Sequence, residues 1–277
     1  MMEKSKNRRF RQAVKMEVRE HKSSFVVFCV LNIFVITTLV RQIFMRNYES
    51  VFLSALTLLL LVIPSVVQVS FKIELPTTLE IIVLLFIFAA EILGEINSFY
   101  ILIPFWDTIL HTLNGFLAAA IGCSLIVILN GNDKLTFTLS PLFVAIVAFC
   151  FSMTIGVIWE FFEFGMDAFF HLDMQKDTVI HALHSMMLDP TNSNHLTTVN
   201  GIQEVIINGN PLGVGGYLDI GLLDTMEDLF VNFIGAFVFS VFGYFYAKSK
   251  GKGKVAKRFI PSIKTPDHDY FDGPNKQ

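Results

Sequence analysis

Asp107 and His111, in WDTILHTLNG, set a carboxylate and an imidazole four residues apart in an apolar stretch. Glu160, Glu163 and Asp167, in WEFFEFGMD, follow at i+3 and i+7. Asp224, Asp228 and Asn232, in DTMEDLFVN, repeat the pattern at i+4 and i+8. Each spacing lines one face of an α-helix. Carboxylates within or beside a membrane are costly and usually mark a site. No Lys or Arg lies nearby in the sequence to neutralise them, so a bound cation is the natural partner.

Oxygen-rich sites with one His suit hard or borderline divalent ions such as Mg²⁺, Mn²⁺ or Zn²⁺. Helix bundles build carboxylate metal sites from such i+3 and i+4 pairs. The expected metal ligands are Asp107, His111, Glu160, Glu163, Asp224 and Asp228. Asp167 is the spare carboxylate and the expected general base. A metal there would polarise a phosphoryl or acyl oxygen and activate water. The chemistry expected is that of a metal-dependent hydrolase or phosphotransferase, with a lipid or lipid-linked phosphate as substrate. No Ser–His or Cys–His constellation offers a covalent route, and Lys176 is the one nearby cation for a phosphate.

Positioning those groups falls to apolar helices. The 277-residue chain is 53% apolar, with 29 Phe and 16% charged residues. Its mean hydropathy is +0.58. Soluble domains average about 25% charged. An all-α, polytopic transmembrane bundle in a lipid bilayer is expected. A helix needs about 20 residues to cross the hydrocarbon. Six spans are expected, near 24–40, 50–70, 77–94, 107–129, 140–170 and 221–247. Pro64 should kink the second, and the Asn-Gly-Asn-Asp of 130–139 is a turn signal. Cys29, Cys123 and Cys150 lie in apolar runs without CxxC spacing and read as packing residues. No cleavable signal pattern precedes the first run, which is expected to stay as an anchor.

The basic residues are segregated. Eight of the 21 Lys and Arg fall in 1–22 and eight in 248–277. Terminal basic clusters flanking spans set topology rather than bind nucleic acid, so both ends are expected in the cytoplasm. The organisation expected is a basic segment 1–22, a six-span domain 23–247 with an outer cap at 171–220, and a basic tail 248–277. The stretch 8–20 is amphipathic and reads either as a surface-lying helix or as a solvated arm. The Gly-rich GNPLGVGGYLDIG of the cap lacks a Lys-Ser/Thr and is not read as a phosphate loop.

This orientation makes a geometric expectation. Asp107 to Asn130 spans about 35 Å as helix, Asp224 to Lys248 about 36 Å and Ser140 to Glu160 about 30 Å. All three acidic sets then reach one layer near the outer membrane boundary. Trp106 and Trp159, each just before an acid, favour that depth. Glu91 and Glu95 are either interfacial or part of the layer, and Glu80 lies at the opposite end of its span.

Plainer readings compete. Asp107 reads also as a helix N-cap, and Asp224 with Glu227 as a capping box. His111, Glu163 and Asp228 sit one turn further in, beyond the reach of capping. Asn232 is expected to bridge helices, and Gly115, Gly165 and Gly235 to allow their close approach. His181 and His184 form an i+3 pair, but two histidines without a third group are not a metal site.

At these motifs, over about 75–247, the chain resembles the YjdF-like family of bacterial inner-membrane proteins. The resemblance rests on WDTILHTLNG, on Glu160 and Glu163 in WEFFEFGMD, and on DTMEDLFVNFIGA. The last motif is also similar, more weakly, to the VanZ-like family, whose Glu-x-x-Gln element is missing here. The YjdF-like family is of unknown function, so the resemblance implies a shared site and a multi-pass bacterial inner or plasma membrane location, without naming a reaction.

Two further function classes stay open. A divalent-cation transporter or sensor would use intramembrane acids as an ion path, but the far halves of the last three spans are nearly uncharged. A structural or partner-binding membrane protein would use the acids as caps and pairing groups.

Overall fold

The computed structural model describes residues 2–130, 139–249, 256–264 and 268–271. Most of the expected turn at 130–139 lies outside the described residues. The chain is mostly helical, and it divides into two compact units. Unit 1 is Met1–Ile155 with Val231–Gln277, and unit 2 is Gly156–Phe230.

Among the described residues, five helices are long and apolar enough to cross a membrane. They are Lys22–Met45, Tyr48–Phe71, Trp106–Ile126, Pro141–Phe170 and Leu222–Lys248. The helices in chain order are α1 (Met2–Glu17), α2 (Lys22–Met45), α3 (Tyr48–Leu60), α4 (Ile63–Phe71), α5 (Thr77–Phe88), α6 (Phe99–Leu102), α7 (Trp106–Asn130), α8 (Pro141–Phe170) and α9 (Leu222–Lys248). The third of the six expected spans is therefore not one α-helix. Its 12-residue α5 runs directly into an 8-residue π-helix, Ala89–Ile96, which carries Glu91 and Glu95. π-turns are rare and cluster at functional sites. The second expected span breaks at Leu61–Val62, so that Pro64 enters the first turn of α4. A proline there has no N–H to return to the preceding turn, and its ring crowds the carbonyl four residues back.

In unit 1 the core is built where small side chains let helices close up. Ala119, Ala120 and Cys123 of α7 pack with Val144 and Ala148 of α8 and with Ala236 and Phe239 of α9. A Cβ on Gly115 would lie 2.1 Å from the Asn232 carbonyl oxygen, and one on Gly235 would lie 2.0 Å from that of Thr112. These two glycines hold α7 against α9 backbone to backbone, as small residues do between membrane helices. Gly165 does not share that role: the nearest atom to a Cβ there is in Phe169 at 4.0 Å, in its own helix. Ser152 Oγ donates to the Gly115 carbonyl at 2.7 Å, which ties α8 to α7. A second cluster joins Leu31 and Val35 of α2 to Leu61, Leu84 and Ile92.

The cap of unit 2 folds as short antiparallel pairs. β2 (Val179–Ile180) pairs with β7 (Tyr217–Leu218), β3 (Ala182–Ser185) with β4 (Thr197–Asn200), and β5 (Ile206–Ile207) with β6 (Asn210–Pro211). In unit 1, β1 (Ile73–Glu74) pairs with β8 (Ser262–Ile263). His181 and His184 serve the cap: their Nδ1 atoms meet the Ile202 carbonyl at 2.9 Å and Thr198 Oγ1 at 3.0 Å.

The turn between β3 and β4 is organised by one buried carboxylate. Asp189 accepts hydrogen bonds from the Thr191 hydroxyl at 2.6 Å and from the amides of Thr191, His195 and Ser193 at 2.9, 3.0 and 2.9 Å. These bonds, led by the Thr191 hydroxyl, hold its pKa down at about 2. A folded-state pKa below the unfolded value gives stability at higher pH that is lost in acid. The turn's order is thus expected to be full above pH 3.8, the ordinary Asp value, and to fade as the pH falls through about 2. Pepsin cleavage near Leu196, measured above and below that window, checks it. Asp189→Ala is expected to be cleaved readily at both.

Candidate metal centre

The last turns of α8 carry WEFFEFGMD and the first turns of α9 carry LLDTMED. In unit 2 these bring Glu160, Glu163 and Asp228 together. One carboxylate oxygen of each lies within 4.8 Å of the others. The three residues are 5%, 7% and 3% exposed. At that separation and burial, three ionised carboxylates repel strongly unless protons or a cation offset the charge. Glu160 and Glu163 are a turn apart on one helix, and Asp228 comes from the other, so a single ion would be gripped from two elements. Trp159 donates its indole N–H to Glu163 Oε1 at 2.8 Å, which fixes the rotation of that carboxylate.

Asp167 and Asp224 are turned to other work. Asp167 accepts the Met174 N–H at 2.6 Å on one oxygen and the Gln175 N–H at 2.8 Å on the other. Asp224 Oδ2 accepts the Lys176 N–H at 2.9 Å. The Gln175 side-chain Nε2 donates to Thr225 Oγ1 at 2.5 Å. Three consecutive residues, Met174 to Lys176, thereby stitch the end of α8 to the start of α9, one turn beyond Glu163 and one turn before Asp228. This brace holds the facing carboxylates at short range. Its acids are occupied by backbone amides, a poor arrangement for a general base or a metal ligand.

The capping alternatives resolve in the same way. α9 starts at Leu222, so Asp224 lies inside its first turn. The capping carboxylate is Asp219, which accepts the Leu223 N–H at 2.8 Å and the Thr178 N–H at 2.8 Å. α7 starts at Trp106, which puts Asp107 in the first turn, where the helix dipole favours an anion.

Unit 1 brings Asp107 and His111 together, with Oδ1 and Nε2 3.5 Å apart. Further along the same face, Asn114 donates to Asn232 Oδ1 at 3.3 Å. Asn232, 1% exposed, bridges α7 and α9 as its position suggested. Glu91 and Glu95 sit in the π-helix, half-buried and exposed respectively. Sequence reasoning missed the Trp159–Glu163 bond, although the i+4 spacing of an indole donor and a carboxylate was a readable signal. The Met174–Lys176 brace had no such signal, since every residue but proline offers a backbone N–H.

Residues 26–249 match the family model described as predicted membrane protein, DUF2238. The chain belongs to the DUF2238 family. The matched stretch takes in the expected spans, save the first two residues of the first, with all three acidic motifs and the cap, and it leaves out the whole of α1 and the segment after residue 249. The YjdF-like resemblance is consistent with membership of DUF2238. No curated protein and no solved structure matches the chain. As a DUF2238 member it is an integral membrane protein of several apolar helices.

Proposed function

We propose that this DUF2238 protein holds a divalent metal ion on Glu160, Glu163 and Asp228 and uses it to act on the head group of a lipid or lipid-linked substrate in a cell membrane. The supporting observation is the burial of three carboxylates with oxygens within 4.8 Å of one another. Hard oxygen donors of this number and charge suit Mg²⁺ or Mn²⁺, with open positions left for water and substrate. The metal, when bound, would polarise a phosphoryl or acyl oxygen and acidify a bound water. Trp159 orients Glu163, and the Met174–Lys176 brace keeps α8 and α9 at ligating distance.

The test is Mn²⁺ titration of the full chain, purified in detergent without chelator and followed by electron paramagnetic resonance. Binding at one site per chain is expected, weakened about tenfold or more by Glu163→Gln. Turnover of phospholipid or polyprenyl phosphates in the same preparation distinguishes hydrolysis or transfer from cation uptake, which is read in sealed liposomes. Absence of Mn²⁺ binding by the wild type would sink the metal reading.

A further inference from the structure

Residues 256–264 and 268–271, which the basic composition alone casts as part of a cytoplasmic tail, are built into unit 1. Phe259 meets the Phe116 ring edge-on at 5.2 Å. Ile260, 4% exposed, joins the buried cluster of Ala119, Cys123, Ala236 and Phe239. Ser262 and Ile263 form β8 on β1, and the Lys264 N–H extends the ladder to the Lys72 carbonyl at 2.9 Å. Beyond it, His268 Nδ1 lies 2.7 Å from Glu20 Oε1. Phe271 packs edge-on against Phe10 at 5.8 Å, and Arg9 donates to the Phe271 carbonyl at 3.1 Å.

The attachment is electrically improbable at first sight. α1 is strongly basic, with Lys4, Lys6, Arg8, Arg9, Arg11 and Lys15, and so is the segment that docks on it. The ion pairs are made with the acids at the end of α1 and just beyond it. The Lys264 ammonium bonds the Glu17 carboxylate, with both side chains almost sealed from solvent at 3% and 2% exposure. Neutralising one partner of such a pair leaves the other charge buried without its bonded counter-ion, a far larger penalty than losing an exposed pair. Neutralising both removes the penalty. A short strand pair and a few apolar anchors, by contrast, are weak fastenings on their own.

We propose that residues 256–264 and 268–271 form a releasable strap across unit 1, latched by the Lys264–Glu17 pair, whose opening uncovers Phe116 and Phe239 between α7 and α9. Both latch residues lie outside the 26–249 stretch that matches the family.

Hydrogen exchange on the full chain in lipid nanodiscs, read by mass spectrometry, tests this. Glu17→Gln and Lys264→Met should each speed exchange of the 259–264 peptide about tenfold or more, with α7 peptides around Leu117 unchanged. The Glu17→Gln/Lys264→Met double variant should return the peptide to within about threefold of wild type. The proposal is overturned if both single variants exchange at the wild-type rate, or if the double variant stays as loose as the singles. Loss of α7 protection in the singles would overturn it too, since the pair would then hold up the whole unit rather than latch a strap.

Discussion

Asp228→Asn is expected to raise the melting temperature of the metal-free protein and to remove the stabilisation that divalent metal gives the wild type. The side chains are nearly isosteric, so the change is one of charge. In the metal-free state Asp228 lies within 4.8 Å of Glu160 and Glu163, all three buried. Removing one charge relieves two repulsions, worth about 1–3 kcal/mol where relief is not taken up by protonation. With metal present at a hundredfold excess over Kd, a bound ion stabilises the wild type by about 2.7 kcal/mol. The variant loses a ligand and with it most of that increment. Differential scanning fluorimetry in detergent, with and without Mn²⁺, reads both arms. A metal-induced shift that survives the substitution would show that Asp228 is not a ligand.

Gly235→Ala is expected to be the most damaging single-methyl change in the α7–α9 pair, costing about 2–4 kcal/mol. The added carbon would fall 2.0 Å from the Thr112 carbonyl oxygen and 2.9 Å from the Phe116 nitrogen. Both are backbone atoms inside a helix, which cannot swing aside as a side-chain tip can. The helices must part, and the Asn114–Asn232 bond at 3.3 Å and the Gly115 approach open with them. Gly165→Ala is the matched control. It meets an atom of Phe169 at 4.0 Å, an ordinary contact, and lies within α8. There the gain in helix propensity should stabilise by about 0.5–1 kcal/mol. Titration with sodium dodecyl sulfate, followed by circular dichroism, gives both values on one scale.

Much of the helical framework was legible in the chain itself. The expected spans at 107–129, 140–170 and 221–247 agree to within a residue or two with α7, α8 and α9. Length and apolar content decide this, because a helix that satisfies its own backbone is the way an apolar chain crosses lipid. The third span was harder. Ala89–Ile96 has the composition of α-helix, and nothing local distinguishes a π-turn from the α-turn it replaces. The same limit explains Gly165, which looks like Gly115 and Gly235 until the facing backbone is known.

The acidic motifs were legible as sets, and their division of labour was not. Helical spacing aligned Glu160, Glu163 and Asp167 on one face of α8, and Asp224 with Asp228 on one face of α9. It gave no means of telling Asp167 and Asp224, held by backbone amides, from Glu163 and Asp228, held among carboxylates. The strap was equally hidden. Basic composition described residues 248–277 correctly as charge, yet Ile260 is buried in a cluster that includes Ala119 and Val144, and the Lys264 side chain is buried against Glu17, all more than a hundred residues away in sequence. Amphipathic spacing, span length and charge segregation are properties of neighbours along the chain, and the sequence determined those alone. Which buried charge meets a carboxylate, an amide or an ammonium depends on atoms brought near by packing, and only the tertiary structure decided that.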